Sequence, residues 1–178
     1  KWGFIDKTGE WVLAPDFSDA KPFSDGLACV KSDDKWGFID HSGKRIIEPQ
    51  FIAVSSFSEG KAVILTEKGF QYIDKEQRDV FNTVYQLAKP FAEGVAFVVN
   101  GNKKGFIDNH GNWLFNADFD EVYSFSEGLA MIVKSGKFGF INKRGALVIP
   151  LEYRDATQFG QGMASVTINQ KWGYIDRT

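Results

Sequence analysis

Carboxylates recur along this chain at Asp6, Asp40, Asp74, Asp108 and Asp176, with Asn142 standing in the same series. Paired carboxylates can do general acid–base work, but a hydrolase needs two of them with different environments and pKa values. One carboxylate copied along a chain lacks that contrast. Gly9, Gly43, Gly111 and Gly145 each follow a member of the series by three residues. That pattern suits hairpin turns whose Asp or Asn side chain accepts a bond from the turn backbone. The series is read as turn chemistry. Acidic stretches around Asp16-Phe17-Ser18-Asp19 and Ser24-Asp25-Gly26 lack the alternating carboxylates of a calcium loop and are read as solvated loops.

Nucleophiles and metal ligands are as sparse. His41 and His110 fall in separate turns, and the single cysteine, Cys29, occupies a strand position filled elsewhere by Val63, Phe97, Met131 and Ser165. That leaves no intrachain disulfide, no cysteine-based zinc set and little for a Ser-His triad. Phosphate-cradling patterns, Gly-Lys-Ser/Thr or Gly-x-Gly-x-x-Gly opening a helix, are missing. The expectation is a protein that is not an enzyme, with no catalytic residue, no metal ligand and no cofactor.

Composition narrows the partners. The 178 residues are 43% hydrophobic and 25% charged, which suits a folded chain with a real core. Lys and Arg number 21 against 23 Asp and Glu, so the basic surface that nucleic acid or an anionic membrane requires is not expected. No stretch has the length of a membrane span, and the first residues lack a signal-peptide pattern, so no membrane insertion is expected. The chain opens on Lys1 rather than Met, as a fragment or a processed form would.

The elements that hold these residues are set by repetition, which is sought first in a chain of this kind. Lys1-Trp2-Gly3-Phe4-Ile5-Asp6 returns as Lys35-Trp36-Gly37-Phe38-Ile39-Asp40 and as Lys171-Trp172-Gly173-Tyr174-Ile175-Asp176. Isoleucines stand at 5, 39, 73, 107, 141 and 175, every interval being 34 residues. Phe23, Phe57, Phe91, Phe125 and Phe159 keep the same register, as do Gly26, Gly60, Gly94, Gly128 and Gly162 and the alanines two residues later. A single array over residues 1–178 follows, with five periods from Ile5 to Ile175 and the start of a sixth copy. Tetratricopeptide helix pairs share the period, but runs of five or six aromatic and β-branched residues bounded by turn residues favour strands.

Each period is expected to give three strands. The first is the Lys-Trp-Gly-Phe-Ile-Asp segment; the second follows the turn, as in Trp11-Val12-Leu13, and is stopped by Pro15, Pro49 or Pro150. A linker holding Phe17, Ala20 and Phe23 suits a short helical turn or a packed loop, and leads to the third strand, Leu27-Ala28-Cys29-Val30-Lys31. The fold class expected is all-β, a tandem array of three-stranded antiparallel meanders stacked face to face. Neighbouring columns such as Phe4 and Ile5, or Val12 and Leu13, stay apolar in every copy, so both sheet faces should be covered. The recurring Gly and Ala would let backbones and aromatics approach closely. Strand counting favours an open superhelical stack over a closed propeller-like ring.

The Lys-Trp-Gly-Phe-Ile-Asp motif, the turn Gly and the Phe-x-x-Gly-x-Ala-x-Val segment together resemble the WG-repeat family of bacterial proteins over the whole chain. Gln71 replaces the motif Gly, Lys104 the Trp and Gln77 the turn Gly, so the third copy is expected to be the least regular. The resemblance implies a β-repeat module of bacterial origin, in the cytoplasm or the cell envelope, with no activity to carry over.

A binding site used once must break the repeat. The column opening the second strand reads Trp11, Arg45, Asp79, Trp113 and Leu147, and its neighbour Glu10, Lys44, Arg78, Asn112 and Ala146. Such variation implies exposure, and Trp and Arg are favoured interface anchors; the other reading is that Trp11 and Trp113 merely cover a sheet rim. Trp11, Arg45, Asp79 and Trp113 are thus the candidate partner-binding residues. The function expected is a scaffold for protein–protein interaction, the alternative a carbohydrate or cell-wall module using Trp11, Trp36, Trp113 or Trp172 as stacking platforms.

Overall fold

The computed structural model describes residues 1–177. They divide into two compact units, Lys1–Pro90 and Phe91–Thr178, both built from antiparallel strands. The first holds β1 (Trp2–Ile5), β2 (Trp11–Phe17), β3 (Asp19–Ala20), β4 (Ala28–Ser32) and β5 (Lys35–Ile39). It continues with β6 (Arg45–Phe51), β7 (Ala53–Val54), β8 (Ala62–Thr66), β9 (Gly69–Ile73) and β10 (Leu87–Ala88). The second holds β11 (Val95–Asn100), β12 (Lys103–Asp108), β13 (Trp113–Asn116), β14 (Glu121–Ser126) and β15 (Leu129–Lys134). Its remaining strands are β16 (Lys137–Asn142), β17 (Leu147–Tyr153), β18 (Ala164–Ile168) and β19 (Lys171–Ile175). The chain is all-β, and among the described residues no helix occurs.

The meander is present, with one addition. In the sheet β3–β4–β5–β6 the expected three strands are β4, β5 and β6, and the linker supplies β3 as an outer strand. Asp19 and Ala20 pair with Lys31 and Val30, so this linker is extended rather than helical. The sheet β14–β15–β16–β17 repeats the plan. Hairpins between the third and first strands turn tightly: Asp33 and Asp34 both have positive φ, 48° and 61°, the two-residue geometry that matches strand twist.

Prolines do not stop the second strand as expected. β2, β6 and β17 run through Pro15, Pro49 and Pro150 because a bulge accommodates them. Trp36 faces Phe51 while Phe38 faces Ile47, so β6 carries extra residues at this point. The bulged backbone swings against Gly37, where a Cβ would lie 2.5 Å from the Ile47 carbonyl oxygen and 2.7 Å from the Pro49 nitrogen. Gly3 and Gly139 are crowded in the same way, by Leu13 and Ile149. The glycine of the repeated motif is thus a packing requirement.

The Gly26 series has a different cause from the expected close approach. Asp25 and Gly26 have φ of 50° and 85°, forming a two-residue turn between Ser24 and Leu27. A Cβ on Gly26 would meet nothing within 4 Å, so left-handed backbone, not crowding, selects glycine here.

The core lies between sheets. Phe38, Cys29 and Ile47 on one face of β3–β6 pack against Ala62, Ile64 and Ile73 of the sheet β7–β8–β9 and Phe57 of the linker between β7 and β8. The opposite face, with Ala28, Val30 and Ile39, packs on Phe4, Leu13 and Phe17 of β1–β2. In the second unit the same front-on-back contact joins Phe106 to Phe125 and Ile141, and Phe140 to Phe159 and Val166. The motif Phe meets the linker Phe nineteen positions later edge to face: Phe38–Phe57, Phe106–Phe125 and Phe140–Phe159 have centroids 4.9, 5.2 and 5.0 Å apart. In the interior sheets the Phe38 and Ile39 columns are both buried, as two-sided coverage requires. The Val12 column departs from expectation: Val12, Ile46, Leu114 and Val148 are exposed, each being the unpaired extra residue of a bulge, as Ile46 is between the Ile39–Arg45 and Phe38–Ile47 pairs.

The third copy is irregular where the motif is degenerate. Gln71 carries a side chain where the bulge would press, and after β9 only isolated bridges form, Ile73 to Asp79 and Phe70 to Tyr85. Gln77 keeps the turn with φ of 63°.

Candidate interaction surface

The repeated carboxylates serve their own turns. Asp40 Oδ1 accepts from the N–H groups of Ser42 and Lys44 at 2.9 and 3.1 Å and from the Ser42 hydroxyl at 2.6 Å. Asp6 does the same with Thr8 and Glu10, and Asn142 with the N–H groups of Arg144 and Ala146. The Thr8 hydroxyl, then the Thr8 and Glu10 N–H groups, hold Asp6 below its ordinary pKa; the Ser42 hydroxyl leads for Asp40. Burial pushes Asp74 and Asp108 upward, yet the bonds from residues 78 and 112 outweigh it and both are lowered. These groups are committed acceptors of their own turns. Among the described residues no group of three or more His, Cys, Asp and Glu is placed to hold a metal.

His41 is exposed in its turn and stacks on Phe23 with centroids 3.9 Å apart. Cys29 is buried, its Sγ 3.3 Å from the Ser55 carbonyl oxygen, and burial raises its pKa; it packs and does not present a thiolate.

The variable column splits. Trp11, Arg45, Trp113 and Leu147 are exposed on the outer strands β2, β6, β13 and β17. Each pairs across to a motif isoleucine: Ile5 to Trp11, Ile39 to Arg45, Ile107 to Trp113 and Ile141 to Leu147. Asp79 differs, being half-buried. It accepts from Gln71 Nε2 at 2.8 Å and from the N–H groups of Phe81 and Asn82, so it ties down the irregular copy. Trp36 is also half-buried, with Lys21 Nζ 5.2 Å from its ring centre, whereas Trp172 is open.

Two features of the surface were not read from the sequence. Turn acids bond to the next sheet's turn: Gly60 N–H donates to Asp25 at 2.8 Å, and Gly162 N–H to Glu127 at 2.8 Å. A cation from that next sheet donates to the same turn's carbonyl, Lys75 to Asp25, Lys143 to Glu93 and Arg177 to Glu127. The signal was available, since acids at 25, 93 and 127 and cations at 75, 143 and 177 recur with the period. In the first unit, two equivalent clefts also open between sheets. One of about 360 Å³ has Lys1, Asp16, Asp33 and Arg45 in its walls; one of about 380 Å³ has Lys35, Gln50, Ile52 and Glu67.

A family model described as a WG containing repeat matches five times, over residues 2–36, 36–68, 72–103, 105–138 and 138–172. The chain belongs to this WG-repeat family. No curated protein matches it. Among solved structures it is similar to Kluyveromyces lactis Hsv2 with loop 6CD replaced by a Gly-Ser linker, at 13% identity and a TM-score of 0.58, over 90% of this chain and 62% of that one. It is also similar to Kluyveromyces lactis Hsv2p, at 13% identity and 0.53, over 85% and 56%. A eukaryotic initiation factor gives 13% identity and 0.58, over 99% of this chain and 58% of the other. The chain thus spans less than two thirds of these proteins, and the likeness concerns the fold alone.

Proposed function

We propose that this WG-repeat chain is a non-catalytic scaffold that binds a protein partner through the outer strands of its sheets. The observation that carries this reading is the contrast between paired positions. The motif isoleucines are alike in every copy, and buried in all the interior sheets, while their cross-strand neighbours Trp11, Arg45, Trp113 and Leu147 differ and face solvent. Large aromatic and Arg side chains on exposed, rigid strands suit partner anchoring. The mixed charge around Arg45, Lys1, Asp16 and Asp33 favours a protein over a neutral glycan, and Trp36 is withdrawn from sugar stacking by its burial.

The test is affinity capture with the purified chain and with Trp11→Ala, Arg45→Ala and Trp113→Ala variants, alongside a glycan array with tryptophan quenching. Loss of the same captured proteins by the variants, with melting unchanged, supports the scaffold reading. Saturable quenching by one sugar class would transfer the function to carbohydrate binding, and retention of all partners by every variant would remove this column from the surface that matters.

A further inference from the structure

We propose that the cleft between β6 and the β8–β9 hairpin binds an acidic segment of a protein partner, of the form Asp-x-Asp. The proposal rests on the reading that this chain is a scaffold for a protein, and it names the chemistry of a further contact. The repeat supplies its own template. In the second unit Asp118-Phe119-Asp120 follows β13 and reaches the next hairpin, β15–β16. Asp118 lies between cations of two sheets, its carboxylate oxygens 2.8 Å from Lys104 Nζ and 3.8 Å from Lys134 Nζ. Asp120 accepts the Ser135 N–H of the hairpin turn at 2.6 Å.

Two periods earlier both acids are missing. The same positions read Gln50-Phe51-Ile52, so Phe119 has its counterpart and the carboxylates do not. Their surroundings persist. Lys35 at the start of β5 and Lys68 in the hairpin turn stand in the walls of the cleft of about 380 Å³. Neither forms an ion pair among the described residues, and the Glu67 N–H, in the place of that of Ser135, meets no acceptor among them. Cations and a turn N–H that the template neutralises with its own acids are here left open.

The neighbouring polar groups are already engaged. Gln50 donates to the Glu48 carbonyl and accepts from Gln77 Nε2, both at 3.2 Å. Asp79 is held by Gln71 and by the N–H groups of Phe81 and Asn82. Glu67 is the acid of the lining, set against two lysines. The equivalent cleft holds Asp33 in that place and still takes Asp16, which pairs with Lys1 at 3.1 Å, so an acid in the turn leaves room for a second one. Ile52, 43% exposed, offers an apolar surface to the aliphatic part of the incoming segment. Lysines and a backbone N–H are carboxylate donors, and charge complementarity of this kind selects one partner over others.

The probe is a synthetic Asp-Leu-Asp peptide capped at both ends, titrated into the isotope-labelled chain and followed by amide NMR shifts. The amides of Glu67 and Lys68 should shift saturably, and added salt should weaken the binding. Lys35→Gln with Lys68→Gln should weaken it about tenfold, the loss of two exposed ion pairs. Gln50→Asp with Ile52→Asp rebuilds the template acids and should abolish binding without lowering the melting temperature. Absence of a saturable shift overturns the proposal. So does equal binding of a capped Asn-Leu-Asn peptide, or wild-type affinity in the Gln50→Asp, Ile52→Asp chain. Trp11, Arg45 and Trp113 are untouched throughout, so a silent peptide removes this cleft and leaves the capture experiment to decide the outer-strand reading.

Discussion

At the residue scale the Asp series shows how a carboxylate can be repeated without being catalytic. Asp40 holds two backbone N–H groups of its own turn, and Asn142 supplies the same acceptor without charge. Asp40→Asn should leave the melting temperature nearly unchanged and Asp40→Ala should lower it, with circular dichroism melts as the check. Titration gives a second expectation. Asp6, Asp40, Asp74 and Asp108 all sit below their ordinary pKa of 3.8 in the folded chain. The unfolded chain then takes up protons first as pH falls, so their contribution is complete above that value and is lost as pH drops through the lowered ones. Urea midpoints at pH 5 and pH 3 should differ less for a fourfold Asp→Asn variant than for the wild type; equal differences would deny the carboxylates this role. Gln77 carries a strained left-handed φ of 63°. Gln77→Gly relieves about 1–2 kcal/mol of backbone conflict against about 0.5–1 kcal/mol of added unfolded-state freedom, for a net gain of roughly 0–1.5 kcal/mol in denaturant unfolding.

At the element scale the strands were legible because their causes are local. Runs such as Trp36-Gly37-Phe38-Ile39, turn residues such as Asp33-Asp34, and the Phe57 column all announced themselves by type and spacing. What escaped was register. Nothing local says that a strand can pass through Pro49 by bulging, because the compensation is the missing Cβ of Gly37 on a different strand. The exposed Ile46 column belongs to a second bulge of the same strand, between the Phe38–Ile47 and Ile39–Arg45 pairs, and was equally hidden. Gly37→Val forces a side chain into the Ile47 carbonyl and, as overpacking, should cost about 1–3 kcal/mol or more, measured by urea unfolding. Phe57→Ala empties a fully buried site and should cost about 3–5 kcal/mol; a loss below about 1 kcal/mol would contradict the front-on-back packing of Phe38 on Phe57.

At the scale of the whole molecule, the candidate surface was only half legible. Variation down a column correctly marked Trp11, Arg45 and Trp113 as exposed, but could not separate Asp79, whose variation reflects repair of an irregular turn. Sheet contacts are between neighbours, so damage should spread by one sheet at a time. In Phe140→Ala, amide exchange should quicken in β14–β19 and change little in β11–β13; uniform quickening across the second unit would indicate one indivisible body. The phase of the repeat matters as well. The family model divides the chain near residues 36, 70, 104 and 138, inside or beside the central strands, whereas the four-stranded sheets run from Asp19 to Phe51, from Leu87 to Asn116 and from Glu121 to Tyr153. The unit that is copied is therefore out of step with the unit that folds. A gene lengthened or shortened by whole periods joins strand one of one copy to strand two of another and rebuilds intact sheets at every junction, so the number of repeats can drift while each interior sheet stays the same.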